Sequence, residues 1–286
     1  MISSSDMFWR CRHHRLDLTR EGAIMGILNV TPDSFSDGGC HANPQKALQT
    51  ALSMLDAGAA IIDVGGESSR PGAVAVSAKE EQRRVIPVIA ALLAARPETL
   101  VSIDTVKASV ARAALREGAA IVNDITGLGG DPDMVAAVGE HGAGVVVMHM
   151  QGSPRTMQQA PQYEDVVAEV RAYFCSRHQQ LTAAGLDPET LVYDPGIGFG
   201  KTVQHNLALL RALPHLAPKD RPVLLGVSRK SFLGSLLNTP DLARRSMPTT
   251  AITAWARENG VRLHRVHEVL PNLQSLRMME AILAVD

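Results

Sequence analysis

The sequence predicts an α/β fold, a single-domain TIM (β/α)8 barrel, on three observations. Short β-branched or aliphatic runs alternate with longer stretches of helical periodicity, the pattern of repeated β-α units that close a parallel sheet. Glycines follow several helical stretches, where a left-handed cap is wanted. A polar or charged residue stands at or just past the end of nearly every aliphatic run, and in a barrel those ends converge on one mouth.

Eight runs qualify as strands: Ile24 to Asn29, Ile61 to Val64, Leu100 to Asp104, Ala120 to Asp124, Gly144 to His149, Leu191 to Asp194, Val223 to Val227 and Leu263 to His267. Several are continuously apolar, as parallel strands covered on both faces should be. Helical periodicity marks Pro44 to Ala57, Ala78 to Ala95, Val106 to Glu117, Tyr163 to Ala184 and His205 to Leu213. Gly58, Gly118 and Gly185 close three of these stretches, and the next strand follows within a few residues. Residues 1–20 read as a lead-in whose WRCRHHRLDL alternates weakly and is expected to cover the bottom of the barrel formed by residues 21–286.

Composition narrows the class. With 286 residues, 45% hydrophobic but only 3% aromatic, the core must be built from Ala, Val, Ile and Leu, which suits a layered barrel interior. A formal net charge of −1 gives no field for a polyanion, so no nucleic acid is expected as partner. No window approaches the roughly 18 to 20 apolar residues of a spanning helix. The first twenty residues carry charges where a signal peptide needs an apolar run, so the expectation is a cytoplasmic protein with no membrane partner. Cys11, Cys40 and Cys175 are far apart and form no C-x-x-C pair, which argues against a disulfide framework or a zinc site.

The chemistry lies at the strand ends. Asp104 and Asp194, with the carboxamide of Asn123, end three strands and could hydrogen-bond in the plane of a flat heterocycle rich in N–H donors. Any one Asp at a strand end could instead cap the following loop; a shared mouth weakens that alternative. Around them stand cations suited to anions: Arg70 in GGESSRPGA, Arg229 and Lys230 in GVSRKSF, and Arg265 with His267 in RVHEV. Arg265 and His267 are two apart on one strand, so both are expected on the same face, where they could grip a pyrophosphate. Asn29, at the tip of the first strand, offers a neutral oxygen of the kind Mg²⁺ accepts while keeping most of its waters.

The glycine-rich DPGIGFGKT is not a phosphate loop. Gly196, Gly198 and Gly200 are spaced by two, and the glycine that a Walker A motif needs five positions before Gly200 is absent. They are expected to allow a tight, close-approaching loop after Asp194. DVGGESSRPGA and NVTPDSFSDGG read as loops, functionally as lids. Ser34, Ser36 and Ser69 have no recognisable triad partners, and His149, His205 and His267 form no zinc pattern. Positioning and charge stabilisation are left as the main catalytic devices.

Taken in order, GILNVTPDSFSDGG, IIDVGGESSRPGA, VSIDT, VNDI, VVMHMQGSPRTMQ, DPGIGFGK, GVSRKSFLG and RVHEV, spanning Ile24 to Val269, resemble the dihydropteroate synthase family of pterin-binding enzymes. The resemblance implies a Mg²⁺-dependent transferase of folate biosynthesis, a homodimer, that joins a pterin pyrophosphate to p-aminobenzoate and is the target of sulfonamides. It implies a pterin-pyrophosphate site of Ser69, Asp104, Asn123, Asp194, Lys230, Arg265 and His267, with Asn29 at the metal. It implies a p-aminobenzoate site of Thr31, Pro32, Phe35, Arg70, Pro71, Phe199 and Ser228, and catalytic roles for Arg70, Asp104, Asp194, Lys230, Arg265 and His267. Two rivals remain: a folate-binding methyltransferase on the same barrel, and a catalytically silent pterin-binding paralogue. ARRSMPTTAI, Ala243 to Ile252, departs from the family pattern. Ser246 can still cap its helix and Pro248 can sit in the first turn, while Arg244, Arg245 and Met247 add bulk on the expected dimer side.

Overall fold

The computed structural model describes residues 6–31, 43–68, 75–153, 156–218 and 221–285. Eight parallel strands form a nearly closed barrel, in sheet order β8-β7-β6-β5-β4-β3-β10-β9. They are β3 (Ala23–Asn29), β4 (Ile61–Gly65), β5 (Leu100–Asp104), β6 (Ile121–Asp124), β7 (Gly144–Met148), β8 (Leu191–Asp194), β9 (Leu224–Leu225) and β10 (Leu263–Val266). The seam between β8 and β9 is made by a bridge from Tyr193 to Val223, with the Tyr193 N–H donating to the Pro222 carbonyl at 3.1 Å. β9 is shorter than the expected Val223 to Val227. The chain turns once past Gly226: the Val227 carbonyl accepts from Lys230 N at 3.2 Å, and Arg229 adopts a left-handed φ of 58°.

Among the described residues the helices are α1 (Pro44–Asp56), α2 (Ala78–Ala95), α3 (Ala108–Glu117), α4 (Met134–Gly139), α5 (Val166–Ala183), α6 (Val203–Arg211), α7 (Ser231–Leu236), α8 (Ser246–Glu258) and α9 (Val269–Leu283). Their starts follow from local chemistry. Asn43 caps α1 just ahead of Pro44, Ser77 caps α2, Asp165 caps α5, and Thr202 with His205 forms a reciprocal capping box on α6. His205 is therefore a capping residue. Ser246 is not one: Arg245 holds the N-cap position of α8 without a side-chain cap, because a 3-10 turn, Ala243–Arg245, precedes it. The Arg245 guanidinium donates to the carbonyls of Arg229 (3.2 Å) and Pro240 (3.2 Å), fixing that turn. Pro248 does fall in the first turn.

Strand alternation sorts the side chains into two cores. Outward residues such as Ile24, Ile62, Ile103, Val122, Val147 and Tyr193 pack under the helices. Inward residues near the strand starts, Met25, Ile61, Ile121, Val146, Val192, Leu224 and Leu263, fill the lower barrel. A hairpin of β1 (Phe8–Cys11) and β2 (His14–Asp17) lies against this lower layer, with Trp9, Cys11 and Leu18 in the same cluster. Trp9 Nε1 donates to the Thr190 carbonyl at 2.8 Å, so the buried indole keeps its hydrogen bond.

Candidate active site

One alternation step above the lower layer, the inward positions become polar. Ile61 is followed two residues later by Asp63, Ile121 by Asn123, Val192 by Asp194 and Leu263 by Arg265, while Asp104 comes four residues after Leu100. The register places Gly65 beside Asp104 and Asp104 beside Asn123. These groups thus all face the barrel interior toward its mouth.

Two linked clusters result. In the first, Arg265 donates from Nε to Asp63 Oδ2 at 2.6 Å and from Nη2 to Asp104 Oδ2 at 2.7 Å, and Asn123 Nδ2 donates to the same Asp63 oxygen at 3.0 Å. Burial pushes the Asp104 carboxyl up, Arg265 draws it back down, and Asp63 raises it again. In the second, Asp194 Oδ1 accepts from the Gly196 N–H at 2.7 Å, while Lys230 Nζ donates to the Ile197 carbonyl and lies 4.7 Å from the centre of the Phe199 ring. Burial lowers Lys230 to about 8, against the pull of Asp194. Asp194 is raised by burial and drawn back by Lys230. The clusters meet around Gly226, where a Cβ would stand 3.5 Å from Asp194 Oδ2, 3.8 Å from Arg265 Cβ and 3.9 Å from Lys230 Nζ. A side chain there would fill the space between the two charged groups.

The remaining expected residues fall around this centre. Ser228 and His267 pair at 2.9 Å through Oγ and Nδ1. Asn29 Oδ1 and Asp104 Oδ2 flank Gly65, at 3.9 and 3.7 Å from where its Cβ would stand. Thr31 is partly buried just beyond β3. Pro32, Phe35, Ser69, Arg70 and Pro71 lie outside the described residues.

A family model described as Pterin binding enzyme matches residues 25–267. The chain belongs to the pterin-binding enzyme family. It is 48% identical to a dihydropteroate synthase of Escherichia coli strain K12 over 261 residues, covering 91% of this chain and 92% of the relative. Among solved structures, it is similar to a Yersinia pestis dihydropteroate synthase with a sulfonamide drug complex (TM-score 0.90, 44% identity, 98% of this chain and 100% of that one). It is similar also to a Xanthomonas albilineans dihydropteroate synthase with 4-aminobenzoic acid (TM-score 0.91, 41% identity, 99% and 100%).

The structure of this pterin-binding enzyme adds three details to the sequence reading. Arg265 is clamped between Asp63 and Asp104, and His267, past the end of β10, pairs with Ser228. Arg229 adopts the left-handed turn and pairs with Glu268 at 3.2 Å. Asp124 alternates outward and accepts from Thr126 N and Oγ1, both at 2.7 Å, so it caps the following turn. Sequence reasoning missed Asp63, fully buried and holding both Arg265 and Asn123. The available signal was a carboxylate in mid-strand within an apolar run, where an unpaired charge would be prohibitively costly. It also missed Lys201, buried beside His149.

Proposed function

We infer that the chain is a transferase of folate biosynthesis, a dihydropteroate synthase. It condenses 6-hydroxymethyl-7,8-dihydropterin pyrophosphate with p-aminobenzoate to give 7,8-dihydropteroate and pyrophosphate. The observation that carries this reading is the mouth itself, where Asp63, Asp104, Asn123, Asp194, Lys230 and Arg265 converge from separate strand ends around the open space at Gly226. A pterin is flat and edged with amino and amide N–H groups that carboxylates accept, and Lys230 can donate to its carbonyl oxygen. Three carboxylates face two cations there, so the field favours positive charge on the ring.

That balance supports a dissociative order. As the pyrophosphate leaves, cationic charge spreads from the methylene into the pterin, and Asp104 and Asp194 lower the energy of that state. The aromatic amine is neutral at pH 7, so its attack needs proximity more than a base. Phe199, held against Lys230, offers a face for the p-aminobenzoate ring, with Thr31, Pro32, Phe35, Arg70, Pro71 and Ser228 completing the second subsite. Ser69 and His267 are assigned to the pyrophosphate. Arg265 is assigned there as well; its Nε and Nη2 are held by Asp63 and Asp104, which orients both the guanidinium and Asp104.

For Mg²⁺, the neutral oxygen of Asn29 beside Asp104 fits a hard ion that brings substrate oxygens and waters with it. Among the described residues no group of three or more His, Cys, Asp or Glu forms a protein cage, which suits the same mode. When bound, the ion would offset charge on the departing pyrophosphate. No helix among the described residues is long and apolar enough to cross a membrane, and the cytoplasmic location proposed rests on the charged first twenty residues. A homodimer is supported by α8 and α9, which expose Met247 (81%), Trp255, Leu270, Met278 and Ile282; light scattering at the mass of a 30.6 kDa monomer would overturn it.

The test is pyrophosphate release by the purified protein given Mg²⁺ and the pterin pyrophosphate, with and without p-aminobenzoate. Release together with a dihydropteroate product is expected. Pterin binding with no product would point to a silent paralogue.

A further inference from the structure

Outside the residues assigned above, the most unusual side chain near the mouth is Lys201. It is 3% exposed. It makes no ion pair among the described residues, and burial, with Lys230 nearby, lowers it to about 7. A lysine is rarely buried without a carboxylate, so its hydrogen bonds must account for its place.

All three go to backbone or ring atoms of two segments. Lys201 Nζ donates to His149 Nδ1 at 3.0 Å, to the His149 carbonyl at 3.3 Å and to the Phe199 carbonyl at 3.0 Å. With Nδ1 accepting, the imidazole is neutral and carries its proton on Nε2; burial and Lys201 hold its pKa down to about 3. The ammonium thus ties the end of β7 to the loop after β8. The glycines make this close approach possible. A Cβ at Gly196 would stand 1.9 Å from the His149 carbonyl oxygen, and one at Gly200 2.4 Å from that of Gln151. Their φ values of 64° and 63° are also ones that L side chains rarely adopt. Tyr163 adds a pin from its hydroxyl to the Gly200 carbonyl at 2.9 Å.

The near end of the loop is held separately, by Asp194 to the Gly196 N–H and by Lys230 to the Ile197 carbonyl. Lys201 and Tyr163 hold the far end, and the residue between the two ends whose ring faces Lys230 is Phe199. We propose that Lys201 is a positioning residue for the aromatic amine: by anchoring the Phe199 carbonyl to the end of β7, it fixes the ring face on which p-aminobenzoate docks. The hydrogen bonds from the Gly196 N–H to Asp194 and from Lys230 to the Ile197 carbonyl are made without it.

This proposal rests on the reading of the second substrate given above, so wild-type turnover is measured first. Lys201→Met keeps the length and apolar stem and removes every donor. The expected result is a KM for p-aminobenzoate raised about tenfold or more, with the Kd for pterin pyrophosphate within about twofold of wild type. Tyr163→Phe, which removes a single hydroxyl, should move the same KM in the same direction by a smaller factor, and it carries the test if Lys201→Met fails to fold. An active wild type with an unchanged p-aminobenzoate KM in the folded variants overturns the role of Lys201 alone. Equal weakening of both substrates also overturns it. A wild type that makes no dihydropteroate overturns the functional reading, and the assignment of Lys201 falls with it.

Discussion

The two ends of the barrel are built from the same strands two residues apart, yet they do opposite work. At the floor, Met25, Ile61, Val192 and Leu263 pack against Trp9, Cys11 and Leu18 with no charged group among them. At the mouth, Asp63, Asp194 and Arg265 occupy the next inward positions of three of those strands. Burial contributes stability at one end, while at the other it raises carboxylates and lowers Lys230, so that groups are held in states water would not favour. The lesson is a division of labour along each strand, as expected for this fold. Substitutions at the mouth should cost rate, and substitutions at the floor should cost stability.

The largest effect should come from Lys230→Ala. It removes the ammonium that balances Asp194 and faces Phe199, and loss of such a preorganised donor lowers turnover by about 10²–10³-fold. Pterin binding should be lost with it while the thermal midpoint stays close to wild type. Calorimetry on the variant checks both, and a collapse in midpoint with retained binding would erase the contrast between the two ends. Next comes Trp9→Ala, which should cost about 3–5 kcal/mol in urea unfolding while leaving KM for both substrates unchanged at low temperature.

How far this division was legible in the sequence follows from where each residue lies. Polar tips such as Asp104, Asn123 and Asp194 stand out because an aliphatic run stops at them, and all three reach the mouth. Asp63 escaped because it sits inside its run, and only the ion pair from Arg265 on another strand reveals its role. Lys201 escaped because its loop fails the phosphate-binding pattern; nothing local says that it reaches the ring and carbonyl of His149 past the end of another strand. The capping of α8 was misplaced for a similar reason, since Arg245 is fixed by the distant carbonyls of Arg229 and Pro240. Interactions across the sheet, unlike periodicity and caps, leave no mark at a fixed spacing.

A third prediction probes the outer layer. His264 faces away from the barrel interior, 1% exposed, and burial with Arg257 nearby lowers it from 6.5 to about 4, against the pull of Glu280. Between those two values the unfolded chain binds a proton that the folded chain refuses. Stability therefore rises with pH across this window and is lost as pH falls from 6.5 toward 4, by about 3 kcal/mol from this group. Asp104 and Asp194, raised by burial, bend the curve the other way, so the variant is the cleaner readout. His264→Leu should flatten the acid limb and leave turnover at neutral pH intact. An acid limb of unchanged slope would move the sensitivity elsewhere.

The smallest effect tests whether the floor is a fitted contact or only a greasy one. Gly144 opens β7, and a Cβ there would stand 2.6 Å from Cys11 Sγ and 3.1 Å from Trp9 Nε1. Its backbone lies outside the left-handed region, so Gly144→Ala strains the packing rather than the main chain. Overpacking of this kind costs about 1–3 kcal/mol. Cys11→Ala removes the nearer of the two obstacles, so the cost of Gly144→Ala should be visibly smaller in that background, a coupling read from a double-mutant cycle in urea. If the two substitutions simply add, the hairpin is free to shift under the barrel. Its stabilising contribution would then come from apolar area alone, and shape would matter only at the mouth.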